Sequence, residues 1–220
     1  AAGTREAWRP ACTILFVHHQ QQQRSITIVT RPPLVGVTGT KGKSTIASLV
    51  AHLVREAGER AHLVGNIGRP AVELLGTRED ELAVVELSSY QIADLPSGPE
   101  VAMVANVFRE HLNWHLTEEQ YRTDKLRLLT LPGVRRCVLD ATSQELMAAP
   151  RRCSDALTYG SPSGWHVTTE GVAHGDRTVV ASEDLPLLGP HNALNLCGAL
   201  TVLEALDVAH PPLPAALSNF

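Results

Sequence analysis

A short loop rich in glycine and lysine is the feature that most constrains how this chain can fold. Apolar residues over 34–37 lead through Thr38 into a loop over 39–45 with the sequence GTKGKST, and from Ile46 onward apolar residues recur at helical spacing. This order predicts a buried strand, a tight loop and a helix. Glycines allow the N–H groups of such a loop to turn toward an anion, and the helix N-terminus adds its dipole at the same point.

Two side chains of the loop have the chemistry of a nucleotide phosphate site. Lys43 carries a charge that suits the β- and γ-phosphates, and Ser44 offers a hydroxyl to Mg²⁺. The general phosphate-loop pattern also requires a glycine five residues before Gly42, where this chain has Val37. The alternative interpretation is a glycine-rich turn with a surface lysine. Because the predicted strand and helix flank the loop in the expected order, the pattern favours phosphate binding.

Apolar runs that end in polar residues recur after this loop, with helical segments between them. The predicted elements are strands over 61–65, 82–87, 101–106 and 135–140 and a helix over 121–131. Alternating strands and helices are typical of a three-layer α/β fold with a mostly parallel, doubly wound sheet. Such sheets bind ligands beyond the carboxyl ends of their strands. The polar residues expected to converge there are Ser44, Asn66, Glu86 and His111.

The pattern changes after residue 156. Three short β runs at 165–168, 171–173 and 178–180 are separated by Gly, Ser and Asp, which predicts a small antiparallel sheet. A helix is then predicted from His191 through Leu206.

Composition argues against several classes of function. Of the 220 residues, 44% are hydrophobic and 19% are charged, as in an ordinary globular protein. A net charge of -4 and an aromatic content of 4% give no support to a nucleic-acid partner, and no apolar run is long enough to span a membrane. The four cysteines are scattered without a C-x-x-C pair, so neither a zinc site nor a disulfide framework is predicted, and a reducing cytosol is expected.

The first 32 residues differ from the rest of the chain. They contain a polar tract from His18 to Gln23, whose adjacent histidines could suggest a metal site. Because no further ligands lie nearby in the sequence, a disordered linker is the favoured interpretation. Residues 25–29 alternate well enough for a strand. Residues 1–32 are therefore predicted to be an irregular N-terminal segment, either a remnant or a linker.

Glu86 is the acidic residue with the most informative position. It ends an otherwise apolar strand, where a buried carboxylate needs a cation such as a lysine or a metal. Opposite the phosphate loop, a Mg²⁺ ligand is favoured over an exposed acid at a strand end. Ser88 follows closely and could bind a polar substrate or cap the next helix.

Four residues further along the chain have two interpretations each. His111 follows a strand and could ligate a metal or contact a substrate phosphate, although a lone histidine is more often structural. Lys125, taken alone, is interpreted as a surface lysine. Asn192 and Asn195 lie three residues apart on one helix face, so both amides could reach one ligand. Alternatively, Asn192 caps the helix and Asn195 is merely exposed.

Six short motifs occur in the order and spacing found in the Mur ligases. They are TGTKGKS at 38–44, GNIG at 65–68, ELSSYQ at 86–91, Asn106 with EHL at 110–112, Tyr121 with Lys125, and GPHNALN at 189–195. On these motifs the chain resembles the central ATP-binding domain of this family over residues 33–215. It is most similar to the MurD type, which adds glutamate to UDP-N-acetylmuramoyl-L-alanine.

The resemblance implies an ATP-dependent, ADP-forming carboxylate–amine ligase of peptidoglycan precursor synthesis in the bacterial cytoplasm. In this family the substrate carboxylate takes the γ-phosphoryl group, and the amine of the amino acid then attacks the acyl phosphate. The implied cofactors are ATP and Mg²⁺. The implied partners are the small molecules UDP-N-acetylmuramoyl-L-alanine and glutamate, with no nucleic acid and no membrane, and a monomer is expected.

The resemblance also implies roles for individual residues, position by position. The implied catalytic residues are Lys43, His111 and Lys125. The residues implied to bind the nucleotide are Gly39, Thr40, Lys41, Gly42, Lys43, Ser44, Thr45, Asn192 and Asn195. Those implied to contact the muramoyl substrate are Asn66, Ser88 and His111. Those implied to hold Mg²⁺ are Ser44, Glu86, His111 and Lys125, the lysine as a carbamate in place of a surface ammonium group.

The chain departs from the family pattern in two ways. Glu110 and Asn113 stand where the family usually has Asp, and residues 110–115 look more like the branch that uses L-glutamate. The family also has an N-terminal domain for the UDP moiety and a C-terminal domain for the incoming amino acid. Residues 1–32 are too short for the first, and 216–220 are interpreted as the truncated start of the second, so a fragment is expected.

Two alternatives remain open. One is a nucleotide-binding module that carries out no chemistry. The other is a ligase similar to folylpolyglutamate synthase, in which a Gly-Ser pair follows the loop lysine where this chain has Ser44 and Thr45.

Overall fold

The computed structural model describes most of the chain. The described residues are 13–19, 22–28, 33–74, 77–78, 80–108, 117–154, 156–187 and 189–220. At the N-terminal end, β1 (Thr13–His19) and β2 (Gln22–Ile28) form an antiparallel hairpin. The strand predicted over 25–29 overlaps β2, but the irregular-linker interpretation is wrong for β1. Every residue of β1 has a partner in β2, so backbone pairing forms strands where the side-chain pattern did not predict them.

Six strands form the main sheet, and all of their pairings are parallel. They are β3 (Leu34–Thr38), β4 (Ala61–Gly65), β5 (Leu82–Glu86), β6 (Val101–Val104), β7 (Arg136–Asp140) and β8 (Ala156–Tyr159). All residues of β3, β5 and β6 are buried, as expected of parallel strands covered on both faces. The predicted parallel α/β sheet is confirmed, while β8 was not predicted.

The strand order is β4-β5-β3-β6-β7-β8. Because β4 and β5 lie on one side of β3 and the later strands on the other, the order reverses between β3 and β6. The loop after β3 therefore lies at the topological switch point, where sheets of this kind bind ligands.

Helices cover both faces of the sheet. They are α1 (Lys43–Glu56), α2 (Ser89–Asp94), α3 (Glu118–Leu126), α4 (Gln144–Ala148), α5 (Pro190–Ala205) and α6 (Leu213–Ser218), with 3₁₀ turns at Ala71–Leu74, Arg127–Leu129 and Ser182–Asp184. One apolar core packs α1, α5 and α6 against the sheet, and a second packs α2, α4 and the turn at Arg127–Leu129 against the other face. The fold therefore has three layers.

The small antiparallel sheet predicted after residue 156 is confirmed. Its strands are β9 (Trp165–Val167), β10 (Gly171–His174) and β11 (Arg177–Ala181), in the order β11-β10-β9. Trp165 and Val172 pack into the same apolar core as α5. This sheet therefore adds to the layer that contains α5.

A disulfide joins Cys137 of β7 to Cys153, in the segment after α4. The expectation of no disulfide framework is therefore wrong. The spacing of sixteen residues gives no sign of the bond in the sequence, but the fold brings the two Cα atoms to 6.3 Å, within the range that a disulfide spans. Both cysteines are buried in the core on the α2 and α4 face.

The last helix belongs to the packed domain. Leu213, Ala216 and Leu217 of α6 are buried in the same core as α1, and His52 Nε2 lies 2.8 Å from the carbonyl oxygen of Ala216. The division predicted between 215 and 216 thus falls inside a helix. Among the described residues, no helix has the length and apolar content needed to cross a membrane.

Candidate functional site

The loop over residues 39–42, the phosphate-type loop, joins β3 to α1 at the carboxyl edge of the sheet. Gly42 precedes the helix with φ of +80°, a conformation that glycine adopts without strain, and no described side chain caps the helix. A Cβ atom at Gly42 would also lie 2.6 Å from Asn195 Oδ1. Glycine is therefore required here for two reasons, and α5 lies directly against the loop.

The first residues of α1 include the lysine and the hydroxyls that the sequence suggested for an anion site. Ser44 is exposed, and Lys43 and Thr45 are half-buried. The Lys43 ammonium group donates to the carbonyl oxygen of Thr40 at 3.0 Å. The lysine and the hydroxyl that were predicted to meet phosphates and Mg²⁺ thus stand together at the helix N-terminus, where the dipole favours an anion.

Asn106 follows β6 and binds the backbone of the loop through its side chain. Its Oδ1 accepts the N–H groups of Thr40 and Lys41, each at 2.9 Å, and its Nδ2 donates to the carbonyl oxygen of Lys41 at 3.0 Å. The carbonyl oxygen of Asn106 also accepts the Thr40 N–H at 3.0 Å. One side chain therefore fixes two consecutive loop residues.

The Thr40 side chain links the loop to α3. Its Oγ1 lies 3.0 Å from the hydroxyl of Tyr121 and accepts the N–H of Phe108 at 2.8 Å. Tyr121 is fully buried. The loop is therefore hydrogen-bonded to a side chain from the middle of a helix far away in the sequence.

Lys125 lies in the same network and is only 2% exposed. Its Nζ donates to the carbonyl oxygen of Gly39 at 2.8 Å and lies 4.8 Å from the centre of the Tyr121 ring, within the range of a cation–π contact. The surface-lysine interpretation is wrong, because α3 turns this residue under the loop. Neither helical spacing nor local sequence shows which face of a helix meets a distant loop.

Glu86 is buried at the carboxyl end of β5, with 1% of its surface exposed. It pairs in register with Val37 of β3, two residues before Gly39. Asn66 Nδ2 donates to its Oε1 at 3.3 Å, while its Oε2 has no hydrogen-bond partner among the described residues. The exposed-acid alternative is therefore wrong. A buried carboxylate oxygen without a partner is costly, and it is suited to a cation.

Asn66 is fixed by a tight turn after β4. Its N–H donates to the carbonyl oxygen of Glu86 at 3.0 Å. Gly65 has φ of +101°, and a Cβ atom there would lie 2.3 Å from that same oxygen. The close approach of the two strand ends brings Asn66 to Glu86, as the predicted convergence requires.

The two alternatives for Ser88 and Asn192 have different outcomes. Ser88 caps α2, since its Oγ accepts the N–H of Gln91 at 3.3 Å and the Gln91 side chain accepts the N–H of Ser88 at 2.9 Å. Asn192 does not cap α5, because Gly189 holds that position. Instead, Asn192 Oδ1 accepts from Asn195 Nδ2 at 3.2 Å, which places both amides on one face beside Gly42.

His111, with Glu110 and Asn113, lies outside the described residues, so its predicted metal and substrate roles stay predictions. Within the described ranges, no group of three or more His, Cys, Asp or Glu side chains is arranged to hold a metal ion. Ser44 and Glu86 are therefore the described members of the predicted Mg²⁺ set, together with Lys125.

Cys197 and Glu81, both outside the loop, have clearly shifted pKa values. Burial raises the pKa of the Cys197 thiol to about 12, so this cysteine of α5 is an inert core residue. Glu81 stands at the opposite edge of the sheet, just before β5. There, hydrogen bonds from His62 and Arg60 lower the pKa of the Glu81 carboxyl.

Residue-by-residue reasoning missed the side chains that shape the loop. Asn106 and Tyr121 entered the analysis only through the family motifs, and Thr40 was expected to bind nucleotide and not to link the loop to α3. The one local signal was a polar residue, Asn106, directly after an apolar strand.

Comparisons with known proteins agree with this architecture. The family model described as the Mur ligase middle domain matches residues 37–203. A UDP-N-acetylmuramoyl-L-alanine–L-glutamate ligase from Xanthomonas oryzae pv. oryzae is 44% identical over 208 residues, which cover 92% of this chain and 43% of that protein. The ligase of the same name from Xylella fastidiosa strain 9a5c is 45% identical over 86% of this chain and 41% of its own length.

A solved structure shares the fold. The MurF ligase from Thermotoga maritima in complex with ADP aligns with a TM-score of 0.67 at 19% identity, covering 87% of this chain and 49% of that one. The chain spans less than half the length of the curated relatives named above. Since the family model covers most of the chain, the protein belongs to the Mur ligase family, of which it contains the middle domain.

Proposed function

We propose that this chain is the nucleotide-binding part of an ATP-dependent ligase that joins glutamate to UDP-N-acetylmuramoyl-L-alanine in peptidoglycan precursor synthesis in the cytoplasm. The observation that carries the proposal is the position of Glu86. Glu86 is a buried carboxylate with one oxygen that has no hydrogen-bond partner among the described residues, and it pairs with Val37 at the end of the strand that leads into the loop. Lys43 and Ser44 stand at the helix N-terminus that follows this loop. A Mg²⁺–nucleotide complex satisfies all three groups together.

Mg²⁺ fits the donor set of this chain. Ser44 and Glu86 offer the hydroxyl and carboxylate oxygens that the ion prefers, and Oε2 of Glu86, which no described residue bonds, is suited to a cation. A second ion would be held by His111 and by Lys125 in a carbamylated form; the uncarbamylated form of Lys125 is the one that donates to the carbonyl oxygen of Gly39. When bound, the ions neutralise the charge of the phosphates.

The other residues of the site bind and orient the reactants. Lys43 and the helix N-terminus hold the phosphates, and Asn192 and Asn195 hold the nucleoside beside Gly42. Asn66 and Ser88 contact the muramoyl substrate. The carboxylate of that substrate then takes the γ-phosphoryl group as ADP leaves, and the glutamate amine displaces phosphate and loses a proton to form the amide.

We propose L-glutamate as the amino acid. Both relatives described above carry L-glutamate in their names, at 44% and 45% identity. The stretch from Glu110 to His115 supports the same choice, because it is more similar to the branch that uses L-glutamate than to the common pattern. The same relatives favour a muramoyl substrate over a folate.

Calorimetric titration with MgATP, followed by a phosphate-release assay, tests the proposal. We expect the chain to bind MgATP, and we expect UDP-N-acetylmuramoyl-L-alanine with L-glutamate to release phosphate from the complete ligase, more than D-glutamate or a folate substrate does. The variant Lys43→Ala should lose most of the binding, whereas Arg78→Ala, which removes an equal charge from an exposed residue paired with Asp80, should lose little. Binding without release from the complete ligase would indicate the nucleotide-binding module instead, and no binding would contradict the proposal.

A further inference from the structure

Three consecutive carbonyl groups of the loop each accept a hydrogen bond from a different side chain. Lys125 donates to Gly39 at 2.8 Å, Lys43 to Thr40 at 3.0 Å and Asn106 to Lys41 at 3.0 Å. Carbonyl oxygens repel phosphates. Because these side chains bind the three carbonyl oxygens, the loop can keep its carbonyl groups turned away from an anion before any ligand binds.

The N–H groups of the loop fall into two sets. Those of Thr40 and Lys41 both donate to Asn106 Oδ1 at 2.9 Å. Those of Lys43, Ser44 and Thr45 belong to the first turn of α1, where an N–H has no acceptor within its own helix. For these three, none of the described residues supplies another acceptor. The first set is used inside the protein, and the second set is available to a ligand.

Tyr121 stabilises the part of the loop that carries the first set of N–H groups. Its buried hydroxyl lies 3.0 Å from Thr40 Oγ1, and its ring lies 4.8 Å from the Lys125 ammonium group that binds Gly39. The tyrosine thus contacts Thr40 directly and acts on Gly39 through Lys125. Full burial leaves its side chain little freedom to move.

We propose that Asn106 and Tyr121 are positioning residues that clamp residues 39–41 in their binding shape, so that the phosphates are bound only by the Lys43 side chain and the amides of residues 43–45. This inference rests on the proposed nucleotide site and narrows it. Under it, the amides of Thr40 and Lys41 serve the shape of the loop and do not bind the phosphates.

Amide hydrogen exchange, followed by NMR on the whole chain, tests this division directly. Without nucleotide, we expect slow exchange at Thr40 and Lys41 and fast exchange at Ser44 and Thr45. Saturating MgATP should slow exchange at Ser44 and Thr45 and change the first pair little. Fast exchange at Thr40 and Lys41 that MgATP then slows would overturn the clamp, because those amides would be binding the phosphates.

Binding of two probes to matched variants supplies a readout that a purely structural role would not move. Asn106→Ala should weaken MgATP and Mg²⁺-tripolyphosphate by the same factor, about tenfold, well below the melting temperature. Tyr121→Phe, which removes one hydroxyl and keeps the ring, should weaken both by about threefold. Thr130→Val removes a hydroxyl that bonds Arg127 away from the loop and should change neither affinity.

Each outcome decides one of the two proposals. A lowered melting temperature with unchanged affinities would overturn the clamp and leave the nucleotide site standing. If Asn106→Ala does not fold, unchanged affinities in Tyr121→Phe would overturn the clamp equally. If the unmodified chain binds neither probe, the proposed function is wrong, and the exchange rates of Thr40 and Lys41 alone still decide whether the loop is clamped.

Discussion

The two sides of the phosphate-type loop differ in how completely their polar groups are paired. On the side of β6 and α3, Asn106, Tyr121 and Lys125 make short hydrogen bonds to the loop. On the side of β5, Glu86 receives one long bond from Asn66, and its second oxygen has no partner among the described residues. The paired side stabilises the loop, and the unpaired side is left for a ligand.

This difference predicts how mutations on each side of the loop change stability and ligand binding. Removing a partner on the paired side leaves buried loop groups unsatisfied and should lower the free energy of unfolding. Removing the charge on the unpaired side takes away a group that is costly to bury, so binding should fall while stability does not. Mutations on the paired side are therefore expected to lower both stability and nucleotide binding, whereas removing the charge on the unpaired side should lower binding alone.

The largest effect is expected from Glu86→Gln. Mg²⁺-dependent nucleotide binding should fall by on the order of 100-fold, because the amide keeps the shape of the side chain but cannot balance the cation. The free energy of unfolding should stay the same or rise. Calorimetry with MgATP and urea denaturation measure the two quantities.

Glu81→Gln is the matched control, since Glu81 is a buried acid at the opposite end of the same strand. It should leave binding unchanged. Loss of stability in Glu86→Gln together with unchanged MgATP affinity would show that the carboxylate is structural. The proposed difference between the two sides of the loop would then be wrong.

The disulfide stabilises the region around the turn after α3, on the paired side of the loop. Arg152, next to Cys153, donates its N–H to the carbonyl oxygen of Leu129 at 2.9 Å, in the turn that follows α3. Cys153→Ser should lower the free energy of unfolding by about 3 kcal/mol, the value expected for a closed loop of this length. Urea denaturation measures it. A reductant should destabilise the unmodified chain and have no effect on the variant; equal stability of the two proteins would contradict a formed disulfide.

Lys125→Met tests the paired side at the loop itself. The carbonyl oxygen of Gly39 loses its donor, which should cost about 1–3 kcal/mol of unfolding free energy. Lys43→Met removes the donor to the Thr40 carbonyl, but at a half-buried position that water reaches, so it should cost less stability. The two are compared by urea denaturation without nucleotide, and equal losses would show that the paired side is not a structural support.

The smallest effect concerns pH and the edge of the sheet remote from the loop. Because His62 and Arg60 lower the pKa of Glu81 in the folded protein, its contribution to stability is fully present above the unfolded-state pKa of 4.5 and is lost as pH falls through the lower folded pKa. Below pH 4.5, the melting temperature should fall less steeply with decreasing pH in Glu81→Gln than in the unmodified chain. An identical dependence of the melting temperature on pH in the two proteins would contradict the lowered pKa of Glu81.

Much of the fold could be predicted because strand and helix patterns are local. The apolar runs gave the central strands, and the flanking elements identified the loop from Gly39 to Ser44. The contacts of Lys125 and Asn106 with the loop depend on which distant surfaces meet, which no local pattern records. The disulfide between Cys137 and Cys153 was missed for the same reason.

The backbone pairing of β1 with β2 was likewise invisible in the composition of the polar tract, since hairpins form through backbone groups that every residue carries. Glu86 shows the converse case. Its position at the end of an apolar strand predicted both its burial and its need for a cation, because burying a carboxylate is costly wherever the strand lies.

A crystal structure of the chain with ADP and Mn²⁺, recorded at the manganese absorption edge, tests the central claim most directly. We expect an anomalous peak about 2.1 Å from a carboxylate oxygen of Glu86 and beside the Ser44 hydroxyl, with the phosphates over the N-terminus of α1. A metal bound elsewhere, or phosphates bound with Glu86 still out of contact with any cation, would contradict it.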